Sequence, residues 1–341
     1  MHLDLPLIWA ALIALAVLFY VTLDGFDLGV GILFPFARST ADRDTMMAAI
    51  APYWDGNETW LVMGGGGLFA AFPLAYAILM PALYLPVMVM LLALIARGVA
   101  FEFRLHGRKR GKTLWAFAFG AGSLIATLAQ GAILGGFIQG VRVRGEAFAG
   151  GAFDWASRYS ALTALGLVAG YALLGAGWLM VKTTDDLHGD ARRWGKIAAV
   201  AAAVLLAVVS VATLAGHPEV AARWGVSTAG VDFAVLAPLL PIPAVGALGL
   251  IAVWLGLRRG SHLWPFAGAL FVFLSGYLGL GASFFPDIVP YGITFRAAAN
   301  ANNALGLLLI GVGGMLPVIL GYTAFVYWLF RGKVAADAGY H

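Results

Sequence analysis

Residues 6–36 read PLIWAALIALAVLFYVTLDGFDLGVGILFPF, and this stretch decides the class of fold. About 20 mostly apolar residues cross the hydrocarbon core of a bilayer. This run is longer, and its only charges are Asp24 and Asp27. No basic segment precedes it, and it exceeds the apolar core of a signal peptide, so it reads as a retained transmembrane helix.

Further apolar runs follow outward from it, near 58–78, 81–101, 114–138, 158–181, 196–216, 237–257, 263–285 and 302–330. The expectation is an all-α, polytopic membrane protein of about nine transmembrane helices, a single integral membrane domain over 1–341. Hydrophobic residues make up 62% of the chain and charged residues 11%. That is too few charges to clothe a soluble protein of this length, so a soluble globular enzyme is excluded. Cysteine is absent, which removes disulfides, thiolate metal sites and Cys-attached haem. No basic run is interleaved with stacking aromatics outside the spans, which argues against nucleic acid as a partner.

Lys and Arg alternate in density between successive loops. Of the 21, sixteen fall after odd-numbered spans, from Arg38 and Arg43 to Arg331 and Lys333. The other side holds Arg142, Arg144, Arg158, Arg223 and Arg296. The positive-inside rule then places the N-terminus outside and the C-terminus in the cytoplasm. The outer segments 139–157 and 217–236 are expected to lie along the membrane surface. The stretch from His106 to Lys112 would bind anionic headgroups or simply set topology.

Six histidines are present, His2, His106, His188, His217, His262 and His341. None falls in the middle of an expected span, so a haem held by this chain alone at mid-membrane depth is not expected. No His and carboxylate spacing suggests a metal site either.

Carboxylates inside a span are costly and are functional hypotheses by default. Asp24 and Asp27 are three residues apart and so share nearly one helical face. They read either as proton carriers or as anchors paired with Arg residues. Gly25, Gly29 and Gly31 would let another helix approach that face closely. In PYWDGNETW at 52–60, Asp55 and Glu58 fit a D-x-x-E capping box or a second proton-handling pair. Gly64 to Gly67 in mid-span predict a tight seam. Arg97 reads as a partner for Glu102, a quinone carbonyl or a lipid phosphate, and Asn300, Asn302 and Asn303 read as helix caps.

Taken together, DGFDLGVGIL at 24–33 and PYWDGNETWLVMGGGGLFAAFPLAYA at 52–77 resemble the signature segments of subunit II of the bacterial cytochrome bd quinol oxidases. RGVAFEFR at 97–104 and GYTAFVYW at 321–328 fit as well, and the short loops look most like the cyanide-insensitive branch. The resemblance implies a nine-helix subunit in the bacterial inner membrane, paired with a haem-bearing subunit I that carries haems b and d. It implies that this chain binds no haem and is inactive alone. It further implies that Asp27 and Asp55, joined by Asp24 and Glu58, line a path for cytoplasmic protons, and that some members hold a structural quinone near Trp54 and Arg97. Lipid and small single-helix accessory subunits are further expected partners. Tyr53 departs from the family, which often has His there. A stand-alone secondary transporter or channel is the rival reading, since intramembrane carboxylates and Gly-interrupted helices occur there too. A pure assembly scaffold is the third.

Overall fold

The computed structural model describes residues 3–106 and 109–334, without the side chains of residues 105, 106, 109 and 110. The chain is almost wholly helical. Eight helical stretches among the described residues are long and apolar enough to cross a membrane.

The first runs from Leu5 to Phe36 and is not uniform. Helix α1 (Leu5–Phe19) passes through a π-helical turn at Tyr20–Asp24 into α2 (Gly25–Leu33), and a 3₁₀ turn closes it at Phe34–Phe36. Within the π turn the Thr22 hydroxyl donates to the Leu18 carbonyl at 2.7 Å, competing for an acceptor of the helix ladder. A short helix, α3 (Thr40–Ala48), follows behind a complete capping box formed by Ser39 and Asp42.

The second expected span, 58–78, is divided. Helix α4 (Trp54–Ala71) ends at Phe72, and α5 (Pro73–Ala82) restarts after it. Pro73 lacks a backbone N–H and suits the first position of a helix, so hydropathy runs on while the backbone breaks. Helix α6 (Tyr84–His106) and α7 (Lys109–Gln139) then cross, followed by the β1–β2 hairpin (Val143–Arg144 with Ala147–Phe148). Helix α8 (Arg158–Lys182) and α9 (Asp185–Gly216) are joined by two residues. The loop expected at 182–195 is therefore mostly helix. Its polar turns carry no apolar signal, but Asp185 and Asp186 favour the positive end of the helix dipole.

Helix α10 (Pro218–Arg223), the β3–β4 hairpin (Val226–Ser227 with Gly230–Val231) and α11 (Phe233–Leu236) fill the second outer segment. Helices α12 (Pro241–Arg259) and α13 (Trp264–Phe284) form a tight pair. The β5–β6 hairpin (Asp287–Val289 with Ile293–Thr294) and α14 (Phe295–Ala298) lead into α15 (Asn302–Leu329).

Segments assigned to one side by their charges do meet. At the basic end Arg38 pairs with Asp190, Arg192 donates to the carbonyls of Leu257 and Arg258, and Lys333 donates to the carbonyl of Thr183 at 2.7 Å. Lys182 donates there to the carbonyl of Phe330 and, at 2.8 Å, to the Tyr53 hydroxyl. At the opposite end Arg296 pairs with Asp4, Arg223 with Asp287, and the Tyr291 hydroxyl donates to the Ile138 carbonyl at 2.7 Å. Burial pushes the Tyr291 hydroxyl up to about 12, so it stays a donor.

The core is built where α2 crosses α8. A Cβ on Gly29 would overlap the Tyr171 carbonyl oxygen, and one on Gly175 would overlap the Gly29 backbone. Small residues are what let two helices approach this closely inside a bilayer. Around the crossing lie Phe26, stacked on Trp178 at 4.2 Å, and the buried Leu173, Leu174 and Leu179. The seam expected from Gly64 to Gly67 is half realised. Gly64 and Gly67 face Val17 and Ile13 of α1, whereas Gly65 and Gly66 face outward with nothing near.

Candidate functional site

Three elements converge where the π turn meets α2. π turns recur at functional sites, and this one carries Asp24 while the first turn of α2 carries Asp27. Both aspartates are fully buried. Residues three apart on a helix diverge by about 60°, enough to send the two carboxylates to different neighbours.

Asp24 accepts from Arg97 Nη1 of α6 at 2.9 Å, and the guanidinium is as buried as its partner. Glu58 of α4 lies 3.9 Å from the same nitrogen and keeps 26% of its side chain exposed. Arg97 thus bridges a sealed carboxylate and one that reaches the surface. The pairing of Arg97 runs across helices, to Asp24 and Glu58. Burying an ion pair is costly unless geometry and further hydrogen bonds compensate. Here Asp24 Oδ2 and Arg97 Nη2 have no protein partner, so the pair is open to further hydrogen bonding.

Asp27 accepts from Asn57 Nδ2 at 2.7 Å, and its other oxygen has no partner. Asn57 also donates to the Leu23 carbonyl at 3.3 Å and accepts from the Tyr327 hydroxyl of α15 at 2.9 Å. It therefore ties α2, α4 and α15 together at the site. Sequence reading passed Asn57 over, and its signal was the helical period. Asn57, Trp60 and Gly64 form the buried face of α4, while Asp55 falls on the exposed face.

The capping box expected from Asp55 and Glu58 does not form. Helix α4 starts at Trp54 behind Tyr53, with no side-chain cap, so both acids lie inside the first turns with Glu58 turned to Arg97. Trp54 and Arg97 do come together, the guanidinium carbon lying 6.0 Å from the indole centre. Trp54 also packs on Phe101 at 5.3 Å. Asn300 donates to the Ala70 carbonyl and accepts from its neighbour's N–H, and Asn303 accepts from Ala304 N–H. Helix α15 itself has Ala301 at its cap position. His217 stands at the junction of α9 and α10, as its helix-end reading expected, stacked on Tyr291. His188 and His262 lie 4.5 Å apart at the basic end with their rings tilted by 59°, both ring Nδ1 atoms against the Met180 carbonyl. His2, His341 and the centre of the basic stretch 106–112 (Gly107 and Arg108) lie outside the described residues.

Fold and site define a multi-pass membrane protein with an ionisable cluster sealed inside its helix bundle. Over residues 5–330 the sequence matches the family described as cytochrome bd terminal oxidase subunit II, and the chain belongs to that family. It is 27% identical to the cytochrome bd-I ubiquinol oxidase subunit 2 of Escherichia coli K12, covering 98% of this chain and 96% of that one. It is 28% identical to the cytochrome bd ubiquinol oxidase subunit 2 of Bacillus subtilis 168, covering 96% of each. The bd oxidase structure from Geobacillus thermodenitrificans superposes with a TM-score of 0.76, covering 97% of this chain and 100% of that chain at 17% identity, and so shares the fold. The chain is therefore a subunit of a bd-type quinol oxidase, an oxidoreductase of the respiratory chain in the bacterial inner membrane, with a subunit I as partner. The stand-alone transporter reading gives way to this one.

Proposed function

We propose that this chain carries cytoplasmic protons towards a haem-bearing subunit I and scaffolds that partner, without binding haem itself. The observation that supports the reading best is the acid ladder from the surface into the bundle. Glu58 is part exposed and Asp24 fully buried, and Arg97 stands between them. Asp27 lies one turn further along the same helix with an uncommitted carboxylate oxygen. A carboxyl group with a free oxygen can take up and release a proton without breaking the fold around it. Asp55, on the outward face of α4, would collect protons at the mouth. The relatives named above are ubiquinol oxidases, and in this proposal the complex takes electrons from a quinol, reduces O2 and draws its protons through this ladder.

Haems b and d belong on subunit I in this reading. The side chains of His188, His217 and His262 are engaged at the two ends of the bundle, which favours that placement. Trp54 offers an aromatic face and Arg97 an unpaired donor nitrogen, the chemistry that would hold a structural quinone headgroup. The outward apolar faces of α4 and α15, with Val62, Phe69, Leu307, Ile310 and Val318 exposed, suit lipid, subunit I or a small accessory helix.

Two measurements test the proposal. A reduced-minus-oxidised visible spectrum should show haem bands in the purified complex and none in this chain once subunit I is removed. Bands that stay with this chain would overturn the haem-free assignment. Glu58→Gln should slow quinol-driven oxygen consumption about tenfold, less than the roughly hundredfold floor for a group that transfers the proton itself, with haem content unchanged. Full turnover would remove Glu58 from the path.

A further inference from the structure

The start of α4 and the end of α15 meet in two rungs. On the first, the Tyr53 hydroxyl donates to the Phe330 carbonyl at 2.7 Å. On the second, the Tyr327 hydroxyl donates to Asn57 Oδ1 at 2.9 Å. Tyr53 and Asn57 sit one turn apart, the Asn57 N–H donating to the Tyr53 carbonyl at 2.9 Å, and the Tyr53 and Tyr327 rings pack between the rungs with centres 4.6 Å apart. The Tyr53 rung is clamped from a third helix. Buried Lys182 of α8 also donates to the Phe330 carbonyl, to the Gly332 carbonyl at 3.2 Å and to the Tyr53 hydroxyl at 2.8 Å. We propose that Tyr327 is a positioning residue of the Asp27 site, acting through Asn57, and that Lys182 keeps it in place by fastening the end of α15. The inference rests on the proton-path reading of Asp27.

The Asn57 amide has one acceptor oxygen and two donor hydrogens to place. The Leu23 carbonyl only accepts, so at 3.3 Å the amide nitrogen must face it, and the same nitrogen donates to Asp27 Oδ2 at 2.7 Å. The amide oxygen is thereby turned towards α15, where the Tyr327 hydroxyl is its donor. Both ends of this buried amide are engaged. The consequence falls on Asp27. An oxygen that already accepts an amide hydrogen is the poorer place for a proton, so the exchangeable proton is directed to Asp27 Oδ1, which has no protein partner. Without the Tyr327 hydroxyl the amide oxygen becomes a buried acceptor with no donor, a state costly enough to draw the amide out of place.

Lys182 matters because α15 has little else to fix its height. The helix buries Leu305 near its opposite end and is otherwise part buried or exposed. The last carbonyls of a helix lack intrahelical partners and carry the negative end of its dipole. An ammonium from α8 answers both needs at Phe330, three residues beyond Tyr327. The chain leaving the helix is tied to the same lysine by its backbone, the Val334 N–H donating to the Lys182 carbonyl at 2.8 Å. A slide of α15 by one residue would carry Tyr327 about 1.5 Å along the axis, enough to break its hydrogen bond to Asn57.

The test uses the complete oxidase complex with Tyr327→Phe, Lys182→Met, Lys182→Arg and the double variant of the first two. Tyr327→Phe keeps the ring against Tyr53 and removes only the donor. It should lower oxygen consumption about tenfold, the scale of one buried acceptor left unsatisfied. Lys182→Met should lower it about threefold, the scale of a cation lost from a helix C-terminus, and Lys182→Arg should keep most of the rate. The double variant should be no slower than Tyr327→Phe, because both changes act on one contact. Haem content should be unchanged throughout. Loss of the complex in Lys182→Met would make the lysine a residue of the fold and overturn its positioning role. The decisive readout is the infrared carboxyl band of Asp27, identified by its loss in Asp27→Asn. It should shift in Tyr327→Phe and Lys182→Met and stand at its wild-type place in Lys182→Arg. A band unmoved in Tyr327→Phe, or losses that simply multiply in the double variant, would overturn the inference. Wild-type turnover in Asp27→Asn would instead sink the proton path, and the infrared band would still report on Tyr327 by itself.

Discussion

Asp27→Asn is expected to reduce quinol-driven oxygen consumption of the complex by about 100-fold, the low end of what a positioned proton-transfer group contributes. The substitution is close to isosteric. Asn57 donates to Asp27 Oδ2 at 2.7 Å, and an amide oxygen at that place can still accept this bond. The ties from Asn57 to the Leu23 carbonyl and to Tyr327 do not pass through the carboxylate. The fold, the haem content and quinol reduction of the haems should therefore survive while proton delivery does not. Oxygen consumption measured with an electrode beside the reduced spectrum of the same sample separates the two. Asp27→Glu should recover part of the rate, because it restores a titratable oxygen at a slightly wrong reach. Wild-type turnover in Asp27→Asn would leave the aspartate as an anchor and the proton path without support.

Gly29→Val should have a comparably large effect by another route. Any Cβ at this position overlaps the Tyr171 carbonyl oxygen, and the facing Gly175 has no slack because its own Cβ position overlaps the Gly29 backbone. Backbone cannot step aside as a flexible side chain can, so α2 and α8 must separate. That separation would open the stack of Phe26 on Trp178 and withdraw Tyr171 from Gln130. The expected outcome is a loss of about tenfold or more in assembled, haem-containing complex in membranes, since large effects come from overpacked cores. Co-purification of subunit I with a tagged copy of this chain measures it. Gly189→Val is the control: Gly189 is exposed in the polar first turns of α9 with nothing within 4 Å, so normal assembly in that variant and failure in Gly29→Val would locate the effect in the crossing. Normal assembly in Gly29→Val would mean that the α2–α8 crossing is not held by contact of glycine backbones.

Much of this arrangement could be read from residue types alone. Asp24 and Asp27 stood out because a charge in an apolar run is conspicuous, and the glycines beside them announced a close helix contact. What stayed hidden was partner choice. Three-residue spacing places two acids near one face but does not say that one faces Arg97 and the other Asn57. Asn57 and Tyr327 carry no formal charge, so they draw no attention in a window of apolar residues, although they supply hydrogen bonds of the site. The spacing of Asp55 and Glu58 fits a capping box at a helix start as well as a proton-handling pair. The helix begins at Trp54 instead, and that offset turns Asn57 inward and Asp55 outward. The break at Phe72 is invisible to hydropathy, which averages over the residues where the backbone stops and restarts.

Lys182 has a consequence for biogenesis. Its amino group donates to the carbonyls of Phe330 and Gly332 and to the Tyr53 hydroxyl, which itself donates to the Phe330 carbonyl. Two of these acceptors are about 150 residues further along the chain, beyond α15. Throughout synthesis and insertion of α9 to α15, Lys182 and Tyr53 must be satisfied by water or headgroups at the membrane surface. Helix α15 buries little besides Leu305, so it has few contacts of its own to dock it early. The basic end of the bundle closes only when residues 330–332 emerge and swing over Lys182. Asn57 likewise lacks its Tyr327 donor until α15 is in place.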